Sequence, residues 1–130
     1  MARRLSIWHR QPMVARTMRF LFKIVTAAEW ASAVEAGAFT GSAVDVRDGF
    51  IHLSAAHQVA ETAARHFGGR DGLMLVAFPE DRLAGLKWET SRGGDLFPHV
   101  YGEVPVSAAA WVKPLPLVNG AHLFPSEITS

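Results

Sequence analysis

Cysteine is absent from the 130-residue chain, which removes disulfides, thiolate metal ligands and cysteine nucleophiles together. Any metal would need histidine and carboxylate ligands, and a reducing cytoplasm suits the composition, so a cytoplasmic protein is expected. Long apolar runs are missing too. No stretch approaches the ~18–20 residues that a membrane helix requires, so no membrane partner is expected. Also missing are Gly-x-Gly-x-x-Gly, a phosphate-loop motif, a Gly-x-Ser-x-Gly elbow and a His-Glu-x-x-His helix. The familiar dinucleotide, triphosphatase, hydrolase and metalloprotease signatures therefore do not apply.

Charged residues are sparse at 19%, against 49% hydrophobic, the balance of a globular domain. A chain of this length buries roughly two-thirds of its unfolded surface, so a single core is expected. The formal charge of +1 is unevenly spread. Arg3, Arg4, Arg10, Arg16 and Arg19 give residues 1–19 a charge of +5, and the remainder carries −4. That body offers no broad basic face for phosphates, so duplex DNA is not expected as a partner. Residues 1–18 read as a basic flexible extension, residues 19–118 as one domain and residues 119–130 as a C-terminal tail.

Residues 19–25 read as a strand covered on both sides, with Phe20, Phe22 and Ile24 opposing Leu21 and Val25. Thr26-Ala27-Ala28-Glu29 is a capping box, which predicts a helix over 27–36 with Trp30, Ala33 and Val34 inward and Gly37 as its stop. Residues 40–48 read as loop. A short strand over 49–53 places Phe50 and His52 on one face. Ser54 then reads as the N-cap of a second helix ending at Gly68-Gly69, whose free amides would suit a phosphate or carboxylate. Residues 73–78 form a bounded apolar run expected as a central strand, and weaker strands follow over 86–90 and 98–104. A last strand over 110–117, carrying Pro114 and Pro116, suits a sheet edge. The order of elements predicts an α+β fold with two main helices.

The chemistry concentrates in two segments. In the first, His52 is held between Ile51 and Leu53, and an imidazole fixed in this way can hydrogen-bond a ligand hydroxyl. In the second, Glu89 projects opposite Trp88, Arg92 offers a planar fork for phosphate or carboxylate, and Gly93-Gly94 permits close backbone approach. His99 and Tyr101 alternate onto one strand face. His52, His99 and Glu89 are a common metal ligand set, but their spacing does not support a metal site and none is assigned. His57 and His66 read as a solvated helix face, and His122 as part of the tail.

Asp48-Gly49-Phe50-Ile51-His52-Leu53-Ser54, Trp88-Glu89 and Arg92-Gly93-Gly94-x-Leu96-Phe97-Pro98-His99-x-Tyr101-Gly102 resemble the motifs of a bacterial and plant family, the domain of unknown function 952. The resemblance runs from about Phe20 to Pro116. It implies a fold similar to the ADP-ribosyltransferase superfamily, whose split β core binds nicotinamide adenine dinucleotide (NAD) without a Rossmann motif. In that superfamily an element similar to His52-Leu53-Ser54 holds a ribose hydroxyl, and RNA 2′-phosphotransferases carry a similar segment. A late glutamate stabilises the oxocarbenium-like ribose, and Glu89 is the candidate inside a motif, whereas Glu103 lies outside.

The resemblance thus implies a nucleotide-binding transferase acting at the ribose of NAD or an ADP-ribose-like group. His52 and Ser54 would orient ribose and phosphate, and Arg92 would pair with phosphate. Trp88 and Tyr101 would supply aromatic surface, Glu89 would stabilise the cation, and His99 would be a polar contact or proton carrier. Two other readings stay open: a non-catalytic module for a small anionic metabolite, and a metal-dependent hydrolase. An RNA end is a further candidate partner.

Overall fold

The computed structural model describes residues 19–128, the Arg92 side chain excepted; the basic extension expected over 1–18 lies outside the described residues. Strand β1 (Phe20–Thr26) passes directly into helix α1 (Ala27–Ala36). The junction is the expected capping box: the Glu29 N–H donates to Thr26 Oγ1 at 3.0 Å, and the Thr26 N–H to Glu29 Oε1 at 2.8 Å. Gly37 closes the helix in the left-handed region at φ 88°. There follow β2 (Ala38–Phe39), α2 (Ala43–Asp48), β3 (Ile51–His52), α3 (Val59–Phe67), β4 (Leu73–Pro79), β5 (Leu86–Thr90), β6 (Leu96–Val100), β7 (Val104–Pro105), β8 (Trp111–Leu115), β9 (Leu117–Val118) and β10 (Ala121–His122).

The strands form two three-stranded sheets, β1-β4-β8 and β3-β6-β5, and two two-stranded pairs, β2-β7 and β9-β10. All the pairings are antiparallel. The fold is α+β, as the element order predicts. β4 is the central strand of the first sheet, and proline-bearing β8 is at its edge, where a missing N–H costs no ladder bond. Alternation along β1 and β4 divides the core in two. Leu21, Val25, Val76 and Phe78 pack with Phe39, Ile51 and Val100, while Phe22, Ile24, Leu75 and Ala77 pack with Val59 and Ala63 of α3. Burying a side chain such as Phe22 or Phe78 contributes roughly 1.5–3 kcal/mol. Among the described residues no helix is long and apolar enough to cross a membrane.

Four expectations are corrected. Residues 43–48, expected as loop, form α2. Val34 is exposed, because α1 turns only Trp30 and Ala33 toward the core. The second helix begins at Val59, five residues after Ser54. Ser54 is not its cap, since the Ser54 N–H donates to the Phe22 carbonyl at 2.9 Å and the Phe22 N–H to the Ser54 carbonyl at 2.8 Å. The residue at the cap position of the helix is Gln58, and the expected anion site at a helix N-terminus beside Ser54 is therefore lost. Finally, residues beyond 118 pack back on the domain: β10 pairs with β9, and Phe124 and Ile128 lie against the α3 side of the core.

Gly85 opens β5 at φ +78°, and a Cβ built there would lie 2.3 Å from the Tyr101 carbonyl oxygen. Gly69 also has positive φ, +77°, but open space around it. Gly85→Ala is therefore expected to destabilise the fold by clearly more than the ~1 kcal/mol typical of alanine at a positive-φ site, and Gly69→Ala by about that amount. Urea denaturation of the two variants checks the ordering, and equal losses would contradict it.

Candidate functional site

The site is one face of the second sheet. In register, His52 of β3 lies opposite His99 of β6, which lies opposite Lys87 of β5; Glu89 lies opposite Phe97. Directly opposed residues share a face. One face therefore carries His52, His99, Lys87, Glu89 and Phe97, with Phe50 and Tyr101 continuing it at one end. The other face sends Ile51, Val100, Leu86 and Trp88 toward the core. Burial of the apolar alternate residues thus forces the polar ones to converge on a common surface.

His52 and His99 approach with ring centroids 5.5 Å apart and their planes steeply inclined, at 72°, in a T-shaped contact. Phe50 holds them together: its ring stacks on His99 at 4.1 Å and lies 4.7 Å from His52 and 5.4 Å from Tyr101. Each imidazole is backed by a carboxylate. His52 Nδ1 lies 2.6 Å from Asp45 Oδ1, and His99 Nδ1 lies 2.7 Å from Glu89 Oε1. A carboxylate only accepts, so each Nδ1 is assigned the proton and donates. The Tyr101 hydroxyl donates to the same Glu89 oxygen at 2.8 Å.

Asp45 is the buried member, 1% exposed. Lys23 Nζ lies 3.0 Å from its Oδ1 and 2.9 Å from its Oδ2, and the Ser42 N–H donates to Oδ2 at 2.9 Å. The His52 N–H donates to Oδ1 at 3.1 Å. Burial pushes the Asp45 carboxyl up, but hydrogen bonds from His52, Lys23 and Ser42, together with the Lys23 charge, hold it well below the usual carboxylate range. Burial lowers the Lys23 pKa, and the charge and hydrogen bond of Asp45 offset that in part. The Lys23 ammonium also donates to the His52 carbonyl at 3.0 Å.

Around the other dyad, hydrogen bonds from His99 and Tyr101 lower the Glu89 pKa, and donating its proton into that bond to Glu89 raises the Tyr101 pKa. Glu89 is thus an ionised partner of His99. His52 Nε2 meets a second carboxylate, Asp48 Oδ2 at 3.0 Å, a hydrogen bond only when that nitrogen carries a proton.

Both histidines line a cleft of about 630 Å³. Its apolar walls include Phe22, Ile24, Leu53, Phe67 and Phe97, and its polar rim includes Ser42, Ser54, Thr62 and Ser91. His99 is only 4% exposed, and its Nε2 has no hydrogen-bond partner among the described residues. The cleft therefore presents a buried, unsatisfied ring nitrogen, a position that a ligand donor would complete.

His52, His99 and Ser54 line the cleft, where the Ser54 hydroxyl is 3.0 Å from Thr62 Oγ1. Glu89 and Tyr101 stand behind His99 and are not on the cleft wall. Trp88 is turned away: it packs on the core and its Nε1–H donates to Glu80 Oε2 at 3.1 Å. Arg92 lies in the 3₁₀ turn Arg92–Gly94, with its side chain outside the described residues. His66, expected on a solvated face, is on the cleft wall.

Sequence reasoning missed Asp45, Lys23 and Lys87. Two signals were present: Ser42-Ala43-Val44-Asp45 has capping-box spacing, and Lys23 interrupts an otherwise apolar strand. Among the described residues no group of three or more His, Asp or Glu is arranged to hold a metal ion.

An α+β domain with paired imidazole–carboxylate dyads on a sheet face is thus defined. The family described as Protein of unknown function (DUF952) matches residues 24–112, and the chain belongs to it. Asp45, His52, Glu89, His99 and Tyr101 all fall inside the matched segment. A crystal structure of protein CC0527 from Caulobacter crescentus is similar at a TM-score of 0.76 and 46% identity, covering 80% of this chain and 93% of that one. The solution NMR structure of CC0527 gives 0.72 at 46% identity, covering 79% and 90%. No curated protein matches the chain.

Asp45→Asn leaves Lys23 buried without its counter-charge and is expected to cost about 3–5 kcal/mol. Because the folded Asp45 pKa is depressed, its stabilisation is complete above the unfolded value of about 4 and is lost as pH falls through the folded value. Urea midpoints measured between neutral pH and pH 2 check both points. The wild type is expected to lose stability below about pH 4 more steeply than the variant, and parallel curves would contradict the assignment.

Proposed function

We propose that the protein binds a ribonucleotide in this cleft, of the class of NAD or an ADP-ribose-like group, and acts as a transferase at the ribose. The observation that carries the reading is the pair of imidazoles, each backed by a carboxylate, side by side on the wall of a nucleotide-sized cleft. The motif resemblance supports it, reading the two antiparallel sheets as the split β core of the ADP-ribosyltransferase superfamily. Aliphatic and aromatic walls would cover the base, and the Asp48–His52 edge would take the ribose hydroxyls.

The chemistry follows from the tautomer. With Nδ1–H on Glu89, His99 offers its Nε2 lone pair to the cleft and accepts the proton of an acceptor hydroxyl or amine as that atom bonds to ribose C1′. The C–N glycosidic bond breaks, nicotinamide leaves with the bonding electron pair, and Glu89 stabilises the resulting imidazolium. Glu89 therefore acts through His99. A second reading, a binding module without chemistry, is favoured by one feature: both ring nitrogens of His52 already face carboxylates.

Calorimetry with NAD, ADP-ribose and nicotinamide, run beside an assay for released nicotinamide, separates the readings. Binding with slow release of nicotinamide is expected, and binding without release supports the module. Failure of all three ligands to bind would remove the nucleotide reading. His99→Ala is expected to lower release about a hundredfold or more while NAD still binds.

A further inference from the structure

Lys23, Arg47 and Arg70 are cationic side chains on the wall of the cleft, and they differ in what already neutralises them. Lys23 is buried against Asp45. Arg47 Nε lies 3.0 Å from Asp48 Oδ1. Arg70 has no carboxylate partner among the described residues, although Asp71 is its neighbour in sequence. That acid is turned to backbone instead, where Oδ1 accepts the Gly72 N–H at 2.9 Å and the Leu117 N–H at 3.3 Å.

Arg70 is nonetheless held in place. Its N–H donates to the Phe67 carbonyl at 3.0 Å, and its own carbonyl accepts from His122 Nε2 at 2.7 Å. The guanidinium lies over the Phe67 ring, 5.3 Å from the centroid, and Phe67 itself lines the cleft. Stacking on an aromatic face fixes the plane of the fork while leaving its N–H edge free to donate. An uncompensated cation oriented beforehand at the edge of a cleft is suited to bidentate recognition of a phosphate.

We infer that Arg70 is the phosphate-recognition residue of the cleft, so that the ligand carries a phosphate ester at the end marked by Phe67 and Arg70 and its ribose at the end marked by His52 and His99. The inference rests on the nucleotide reading above and adds an orientation and a specificity to it: phosphorylated ligands are selected over their nucleosides by one residue in the loop that follows α3. The β10 hairpin acquires a role as well, because His122 is what pins the Arg70 backbone.

The test uses a matched pair of ligands that differ by one phosphate, nicotinamide riboside and nicotinamide mononucleotide. Each is titrated calorimetrically into the full chain, into Arg70→Gln, into Arg70→Lys and into the control Arg65→Gln, which alters an α3 arginine paired with Glu61 away from the cleft. The mononucleotide is expected to bind the wild type about tenfold or more tighter than the riboside, the worth of a charge-assisted hydrogen bond. Arg70→Gln is expected to abolish that ratio, Arg70→Lys to keep part of it, and Arg65→Gln to keep all of it. Thermal melting confirms that each variant is folded. Equal affinity of the two ligands for the wild type, or an undiminished ratio in folded Arg70→Gln, overturns the subsite and leaves the nucleotide reading standing. Binding of neither ligand overturns the subsite, and the nucleotide reading falls with it when NAD and ADP-ribose also fail to bind; competition of the mononucleotide by inorganic phosphate at similar concentration would overturn the subsite by showing that it selects free phosphate and not a nucleotide.

Discussion

A single buried carboxylate organises this molecule. Asp45 accepts from the Lys23 ammonium, the Ser42 N–H, the His52 N–H and the His52 ring, so the first sheet, the start of α2 and the edge of the second sheet meet at two oxygen atoms. A carboxylate at such depth is tolerated only when its lone pairs are filled and its charge is matched. The chain meets that condition by drawing donors from three elements, and this makes the position of His52 a consequence of the fold. Lys23 adds a second constraint by donating to the His52 carbonyl, which fixes the residue from its backbone side as well.

The second dyad is built differently. His99 is buried by its own strand and by Phe50, while its carboxylate Glu89 sits toward solvent with Tyr101. One imidazole is therefore clamped by a network inside the protein, and the other is clamped by stacking with one ring nitrogen left to the cleft. Two groups of the same type in unlike surroundings can take different roles, one orienting and one exchanging a proton. Sheet register makes this possible, because direct opposition of His52 and His99 across β3 and β6 brings together residues 47 positions apart in sequence.

The elements that were legible in the sequence are those whose own residues satisfy their backbone. The Thr26–Glu29 box and Gly37 bound α1, and the apolar run of β4 could be placed at the centre of a sheet from its composition alone. Convergence of His52, His99 and Tyr101 was also legible, through strand alternation and the two motifs. What escaped was set by long-range pairing. Ser54 has the chemistry of a cap, but Phe22 takes both its backbone groups and delays the helix to Val59. Asp45 looked like a loop residue, because α2 spans only Ala43–Asp48 and draws its stability from Lys23 and His52, remote in sequence. Trp88 and Glu89 were adjacent candidates, and the pleat sent only Glu89 to the site.

Asp45 holds the His52 ring by its Nδ1 proton, and the rest of the site depends on that bond. Long-range proton–nitrogen NMR of the histidine rings reads that directly. The expected result is a slowly exchanging Nδ1 proton on His52, shifted far downfield by a short bond to a buried carboxylate, together with an Nδ1-protonated ring for His99. A His52 ring with a freely exchanging Nδ1 position, or one protonated only at Nε2, would contradict it.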